Sequence, residues 1–294
     1  MSLETTLKSW TEPSSVTEQE KQERTLRMVR QALAAHSGLS GCSFRVFVKG
    51  SYANNTNVRA DSDVDIAVEC TEAVYWDEDS PGVRPPVDPY LGQWNPTRFR
   101  SEVVAALQGA FAGEVDTSGS TAIHVNSGSA RVDADVVPCF TYERHLQGGS
   151  VVRGTKIFGT SGREIVNYPA QQLENGRQKN VRTGHAYKRA TRMLKRVENA
   201  VADAGSYRPL PSYFVECLAY NCPDAVFMQP TWTERLRAML VHIYNTLEGV
   251  EPAAHGDRWL EVNEWYFLFH DGQQWTRADG RAFSAAAWQQ FGLE

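Results

Sequence analysis

The sequence predicts an α+β fold, with a mixed-sheet lobe over residues 1–165 and a helical lobe over residues 166–294. Three observations carry the prediction. Short apolar segments alternating with polar residues, bounded by Gly, Pro, Asn and Asp, recur between Phe44 and Phe140, which is the period of strands. From Gln178 onward apolar residues recur at three- and four-residue spacing, the period of helices with one buried face. The 294 residues, 41% hydrophobic and 22% charged, contain no internal repeat or low-complexity tract and suffice for a sizeable core in two lobes.

Residues 1–13 read as an extended arm ending at Pro13. A helix is expected over Thr17–Ala35, opened by Thr17 and Glu20 at capping-box spacing, with Leu26, Val29 and Leu33 on one face. Phe44–Val48 alternates as a strand, Gly50-Ser51 reads as a turn, and Val64–Val68 reads as a second strand. Residues 71–96, rich in Pro, Gly, Asp and Trp, read as an exposed excursion with little regular structure. Phe99–Phe111 has helical spacing and stops before Gly113. Thr121–Asn126 and Ala130–Val137 flank the turn Ser127-Gly128-Ser129 as a hairpin, the second strand ending near Pro138, which has no N–H for a ladder. Residues 141–165 hold two glycine clusters and read as a loop or small irregular hairpin. In the second lobe Ala186, Ala190, Met193, Leu194, Val197 and Val201 form the stripe of a helix ending at Gly205. Pro211 opens another helix and Thr231–Leu247 gives a third, while Trp259–Phe269 is aromatic-rich and ambiguous.

Composition narrows the function. A formal net charge of -5 argues against a protein that coats nucleic acid, so no obligate nucleic-acid ligand is expected and any phosphate-binding surface must be concentrated. The N-terminus lacks a basic region followed by an apolar run, and no stretch approaches the roughly 18 to 20 apolar residues of a membrane span. A cytoplasmic protein without membrane contact is the expectation. Five scattered cysteines, Cys42, Cys70, Cys139, Cys217 and Cys222, include no Cys-x-x-Cys pair and fit reduced thiols rather than a zinc site. The seven histidines form no short-spaced cluster and none is assigned a role.

Chemistry enters with Asp63 and Asp65. Residues two apart on a strand project from the same face, so these carboxylates point the same way. Like charges held that close are normally tolerated because a divalent cation sits between them. Asp133 and Asp135 repeat the spacing on a later strand, and period alone does not choose between them as a third ligand. Two metal ions clamping the attacking and leaving oxygens of a phosphoryl displacement need carboxylates from more than one element. An exposed Asp-x-Asp by itself also marks an ordinary turn or strand edge. Gly50-Ser51, separated from Asp63 by eleven residues, adds a place where backbone and hydroxyl can approach a phosphate.

This combination of Gly50-Ser51, Asp63-Val64-Asp65 and Asp135-Val136-Val137-Pro138 resembles the polymerase-β-like nucleotidyltransferases. It is more closely similar to the bacterial cGAS/DncV-like nucleotidyltransferases, which make cyclic oligonucleotide signals in antiphage defence (CBASS). The stretch Gly50–Arg59 leading to Ser62-Asp63-Val64-Asp65, with Val166-Asn167-Tyr168-Pro169 and Pro211-Ser212-Tyr213-Phe214, is most similar to clade E. The similarity runs from roughly residue 45 to residue 225 and fades beyond. It implies a polymerase-β-like catalytic lobe and a helical lobe with the active site in the cleft between them. It further implies that Asp63, Asp65 and Asp135 bind two Mg2+ ions, with Mn2+ as a substitute, that Asp133 either supports those ligands from behind or is structural, and that Gly50 and Ser51 meet the donor triphosphate.

From Arg177 to Arg196 the sequence has eight basic residues and no acidic one, and Lys188, Arg192 and Lys195 fall on one helix face. A charged face is ordinarily solvated and mixed in sign; this one is not mixed. Lys188 is a nucleotide-binding candidate from its place on this face, and by resemblance Lys195 and Ser212 hold donor phosphates and Tyr213 stacks on the base. In the related enzymes an Asn at the place of Asn167 accompanies uracil recognition, so UTP, ATP or both are the expected substrates and a uridine-containing product is expected. A downstream effector would respond to that product rather than bind the enzyme. Two rival readings are a nucleotidyltransferase that modifies a protein, an antibiotic or an RNA end, and a catalytically silent nucleotide sensor.

Overall fold

The computed structural model describes residues 2–58 and 63–293. Among these, the chain divides into two compact units, one of Ser15–Tyr52 with Arg59–Pro169 and one of Met1–Ser14, Ala53–Val58 and Ala170–Glu294.

The first unit is a seven-stranded mixed sheet with helices on one face. Its strands are β1 (Phe44–Val48), β2 (Val64–Glu78), β3 (Val115–Asp116), β4 (Ile123–Val125), β5 (Ala134–His145), β6 (Val151–Phe158) and β7 (Glu164–Asn167). The order is β1-β2-β5-β4-β3, and β6 pairs with β5 and β7. Among the described residues only β2 and β5 pair in parallel. Helices α2 (Val16–Ala35) and α4 (Pro96–Ala110) supply Val29, Leu33, Phe99, Val103 and Leu107 to a core shared with Val64, Ile66, Val68, Val136 and Phe140. The side-chain period of two then fixes the opposite face. Ala67, Val137 and Cys139 form a separate small cluster there, and Asp63, Asp65 and Asp135 share their parity. A slip of one residue would turn the carboxylates into the core and the valines out of it, so register is strongly specified.

Several expectations give way here. Ser15, not Thr17, caps α2, accepting from Glu18 N at 3.2 Å. Gly50-Ser51 opens a one-turn helix, α3 (Gly50–Ala53), rather than a turn. Strand β2 runs 15 residues to Glu78, with a register shift between Cys70 and Val74, so the irregular excursion is confined to residues 79–95. Strand β5 passes through Pro138 instead of ending there. The reason is local: β4 pairs with it as far as Val136 and β6 begins at Phe140, so Pro138 meets a ladder only on the β2 side. Residues 141–165, read as a loop or small irregular hairpin, are the end of β5 followed by β6 and β7, which pair as an antiparallel hairpin.

The second unit is helical: α1 (Leu3–Ser9), α5 (Pro169–Arg182), α6 (Ala186–Asp203), α7 (Ser212–Asn221), α8 (Trp232–Thr246) and α9 (Arg277–Gln290). Its core joins the α6 stripe to Phe214, Leu218, Leu236, Leu240, Phe283 and Ala287. The expected extended arm is instead α1, whose Leu7 is fully buried and whose Glu4 accepts from the backbone N–H of Trp232 and Thr233 at 2.9 and 2.8 Å. That carboxylate caps the N-terminus of α8 in the manner the helix dipole favours. Helices α5 and α9 were not expected from the sequence. All five cysteines are free thiols, and no described helix is long and apolar enough to cross a membrane.

Candidate active site

In the parallel ladder Asp65 lies opposite Asp135, and in the antiparallel ladder His124 of β4 lies opposite Asp135. Asp63 sits one residue before β2. Ligand atoms of Asp63, His124 and Asp135 all lie within 4.8 Å of one another. His124 Nδ1 is 3.0 Å from Asp135 Oδ1 and 3.9 Å from Asp63 Oδ2, while its Nε2 is 3.6 Å from Asp133 Oδ1. Two carboxylates and an imidazole converging in this way are a donor set suited to a divalent cation. Asp133 also accepts from the Ser127 N–H, which ties it to the β4–β5 connection.

Asp65 turns to its own neighbours. One oxygen lies 3.9 Å from Lys49 Nζ. The other approaches Gly50 so closely that a Cβ there would sit 2.4 Å from it, and Gly50 has φ +69°, so only glycine fits on both counts. Ser51, half-exposed, follows in α3. Burial raises the Asp63 pKa, with Asp135, Asp133 and Asp65 adding repulsion that His124 partly offsets. Burial likewise raises Asp65, against the nearby Lys49 charge and together with Asp135. For His124 burial lowers the pKa, but the hydrogen bond to Asp135 and the charges of Asp63, Asp135 and Asp133 outweigh it and raise it. Arg59, Ala60, Asp61 and Ser62 of the signature stretch lie outside the described residues.

Elsewhere in the sheet unit, Asn167 ends β7 opposite Thr155. Gly154 makes room for it, since a Cβ at that position would meet the Asn167 carbonyl oxygen at 2.5 Å.

In the helical unit Lys195 is not a free cation. Its Nζ is buried and donates to Glu216 Oε2 at 2.7 Å and Thr56 Oγ1 at 3.3 Å. Glu216 also accepts from Asn54 Nδ2 and Thr56 Oγ1, each at 2.6 Å. Arg192 donates to the carbonyls of Thr11 and Asn55, and Lys179 and Arg182 bond Asp224. Lys188 differs: it is half-buried, and among the described residues its ammonium has no hydrogen-bond or ion-pair partner. Burial lowers its pKa, Glu216 opposing and Arg192 and Arg177 reinforcing. Ser212 is exposed at the first position of α7, and Tyr213 beside it donates to Glu261 Oε2 at 3.1 Å.

The residue that sequence reasoning missed is His124. Its signal was available only through strand pairing, because nothing in its spacing from other ligands marks it.

A mixed sheet that presents acidic residues from adjacent parallel strands beside a Gly-Ser helix start, in a chain with a separate helical unit, defines a polymerase-β-like nucleotidyltransferase. The family model of the cGAS/DncV-like nucleotidyltransferase C-terminal helical domain matches residues 174–292, through the region where motif similarity had faded. A cyclic dipyrimidine nucleotide synthase CdnE of Cecembia lonarensis is 35% identical over 285 residues, covering 96% of each chain. The structure of a CdnE cyclic dinucleotide synthase of Elizabethkingia meningoseptica, with GTP and Apcpp, superposes with a TM-score of 0.81 at 31% identity over 99% of this chain and 100% of that one. A CdnE c-UMP-AMP synthase of Rhodothermus marinus, with Apcpp and Upnpp, gives 0.84 at 26% identity over 99% and 97%. The chain belongs to the clade E cGAS/DncV-like nucleotidyltransferases. It is a metal-dependent enzyme and a cyclic nucleotide synthase.

Proposed function

We propose that this enzyme condenses UTP, alone or with ATP, into a cyclic dinucleotide that signals in bacterial antiphage defence. The observation that carries the reading is the cluster of Asp63, His124 and Asp135, with Asp65 opposite Asp135 in the ladder. Asp63, Asp65 and Asp135 would hold Mg2+, or Mn2+ in its place. When bound, the metal supplies charge neutralisation at the phosphates and Lewis acidity toward the attacking hydroxyl. Asp135 accepts the proton of the acceptor ribose hydroxyl as that oxygen attacks the α-phosphorus and pyrophosphate leaves. Ser51 donates its hydroxyl to the donor triphosphate.

Lys188 and Ser212 contact donor phosphates, and phosphate would restore the charge that burial disfavours on Lys188. Lys195, neutralised by Glu216, supports the Asn54–Thr56 segment instead of touching phosphate. Tyr213 stacks on the donor base, an interaction of about 1–3 kcal/mol that tolerates any base. Selectivity for uracil falls to the Asn167 amide, which offers both a donor and an acceptor to a base edge. The relative from Cecembia lonarensis, named a dipyrimidine synthase, supports a pyrimidine product. The enzyme acts in the cytoplasm, and an effector reads its product.

Incubation with four α-labelled NTPs and Mg2+, followed by phosphatase treatment and mass spectrometry, tests the proposal. A phosphatase-resistant uridine-containing product of cyclic mass is expected. Label on a macromolecule, or no turnover, would overturn it. Asn167→Ala is expected to lower the ratio of uridine to purine incorporation about tenfold, the value of one base-edge hydrogen bond.

A further inference from the structure

We propose that Glu261 is a positioning residue for the donor nucleotide, acting through Tyr213. The inference rests on the stacking role assigned to Tyr213 above. Glu261 is a nearly fully buried carboxylate to which three side chains donate: Tyr213 Oη at 3.1 Å, Asn263 Nδ2 at 2.8 Å and Gln273 Nε2 at 2.7 Å. The imidazole of His270, Nε2, lies 3.9 Å away, and among the described residues no lysine or arginine pairs with the carboxylate. A buried carboxylate with no close cation is expensive to maintain, and burial raises its pKa despite these hydrogen bonds.

The carboxylate is itself held rigidly. Residues 260–267 form a tight hairpin in which Glu261 N donates to Tyr266 O at 2.9 Å and Leu260 pairs with Phe267. Asn263 Oδ1 accepts from the N–H groups of Trp265 and Tyr266, closing the turn. The hairpin is tied to α5 by the bond from Asn175 Nδ2 to Val262 O at 2.9 Å. Tyr213 is thus fixed at its hydroxyl by Glu261 and at its ring edge by Trp275, 6.5 Å away at 66°. A ring held in one orientation gives a base a preformed stacking surface, with no side-chain freedom left to lose on binding. This gives the aromatic-rich segment after Trp259 a task in nucleotide binding that its sequence did not reveal.

The test is binding of a non-hydrolysable UTP analogue by calorimetry, with KM for UTP as a second readout. Tyr213→Phe removes the hydrogen bond without leaving a cavity and is expected to weaken analogue binding about three- to tenfold, the cost of immobilising one side chain. Glu261→Ala should weaken it similarly. Glu261→Gln, which keeps an acceptor for the phenol, should restore most of the loss. In the Tyr213→Phe background Glu261→Ala should add nothing, which a purely structural role of the hairpin would not produce. Additive losses, or full affinity in both single variants, would overturn the inference while leaving the stacking role intact. Unchanged affinity in Tyr213→Ala would overturn the stacking role and the inference with it.

Discussion

Asp63 and Asp65 are held where the folded chain disfavours their charge. Burial and the nearby Asp135 raise both pKa values. An acid raised by folding contributes stability that is complete below its ordinary range and is lost as pH rises through the raised value. Asp63→Asn is therefore expected to raise Tm in chelator at neutral pH, the gain closing as pH falls toward about 4. It should also lower turnover by about a thousandfold or more, several kcal/mol of transition-state stabilisation. Scanning calorimetry across that range decides the point, since a lower Tm would mean the carboxylate stabilises the fold. For His124→Ala, Mn2+ binding read by electron paramagnetic resonance is expected to weaken about tenfold, as when a ligand loses the partner that orients it. Unchanged Mn2+ affinity would mean the ladder alone orients Asp135. The aspartates were legible because a period of two needs no partner to be seen. His124 was not: a tight turn at Ser127–Ser129 would set Val132 opposite it, whereas the structure pairs Val125 with Ala134 and so brings Asp135 across.

At the scale of elements, α6 and α7 are joined by a buried ion pair, Lys195 with Glu216, completed by donors from Asn54 and Thr56. Glu216→Ala leaves Lys195 charged and unpaired and is expected to cost about 3–5 kcal/mol in urea unfolding. Replacing both partners by apolar residues should recover much of that loss. The pH dependence has the opposite sign to that of Asp63 and Asp65. Burial would raise Glu216, but the Lys195 charge and the hydrogen bonds from Lys195, Thr56 and Asn54 prevail and lower it. Its contribution is present above the ordinary carboxylate range and is lost as pH falls through the lowered value. The wild-type advantage over Glu216→Gln should therefore shrink in acid; an advantage constant down to acid unfolding would exclude this account. Helices α2, α4, α6 and α8 were readable because each buries one continuous stripe. The far half of β2, with β6 and β7, was not, because turn-forming and polar residues there are carried by pairing with β5 rather than by their own pattern.

For the molecule as a whole, the N-terminus is a structural member. Leu7→Ala is expected to cost about 2–5 kcal/mol by cavity formation and Glu4→Ala about 1–2 kcal/mol by uncapping α8, both read by urea unfolding. Losses near zero in both would mean α1 is dispensable. A helix of seven residues has no stability alone, and so it leaves no mark in the sequence until α8 is there to receive it. The all-basic run met a similar fate. As sequence it was one face of one sign; in the fold Arg177 bonds Glu174, Lys179 and Arg182 bond Asp224, and Lys195 bonds Glu216. Among the described residues the Lys188 ammonium has no such partner, and it is the cation proposed above to meet phosphate. The sequence by itself determined the fold class, the strand face that carries the aspartates and the family, because periodicity and short motifs are local properties of the chain. Only the tertiary structure decided that His124 joins the aspartates, that Lys195 is neutralised and that Glu261 holds Tyr213. Each of those depends on residues 11 to 61 positions apart being brought together by register and packing, which no local pattern encodes.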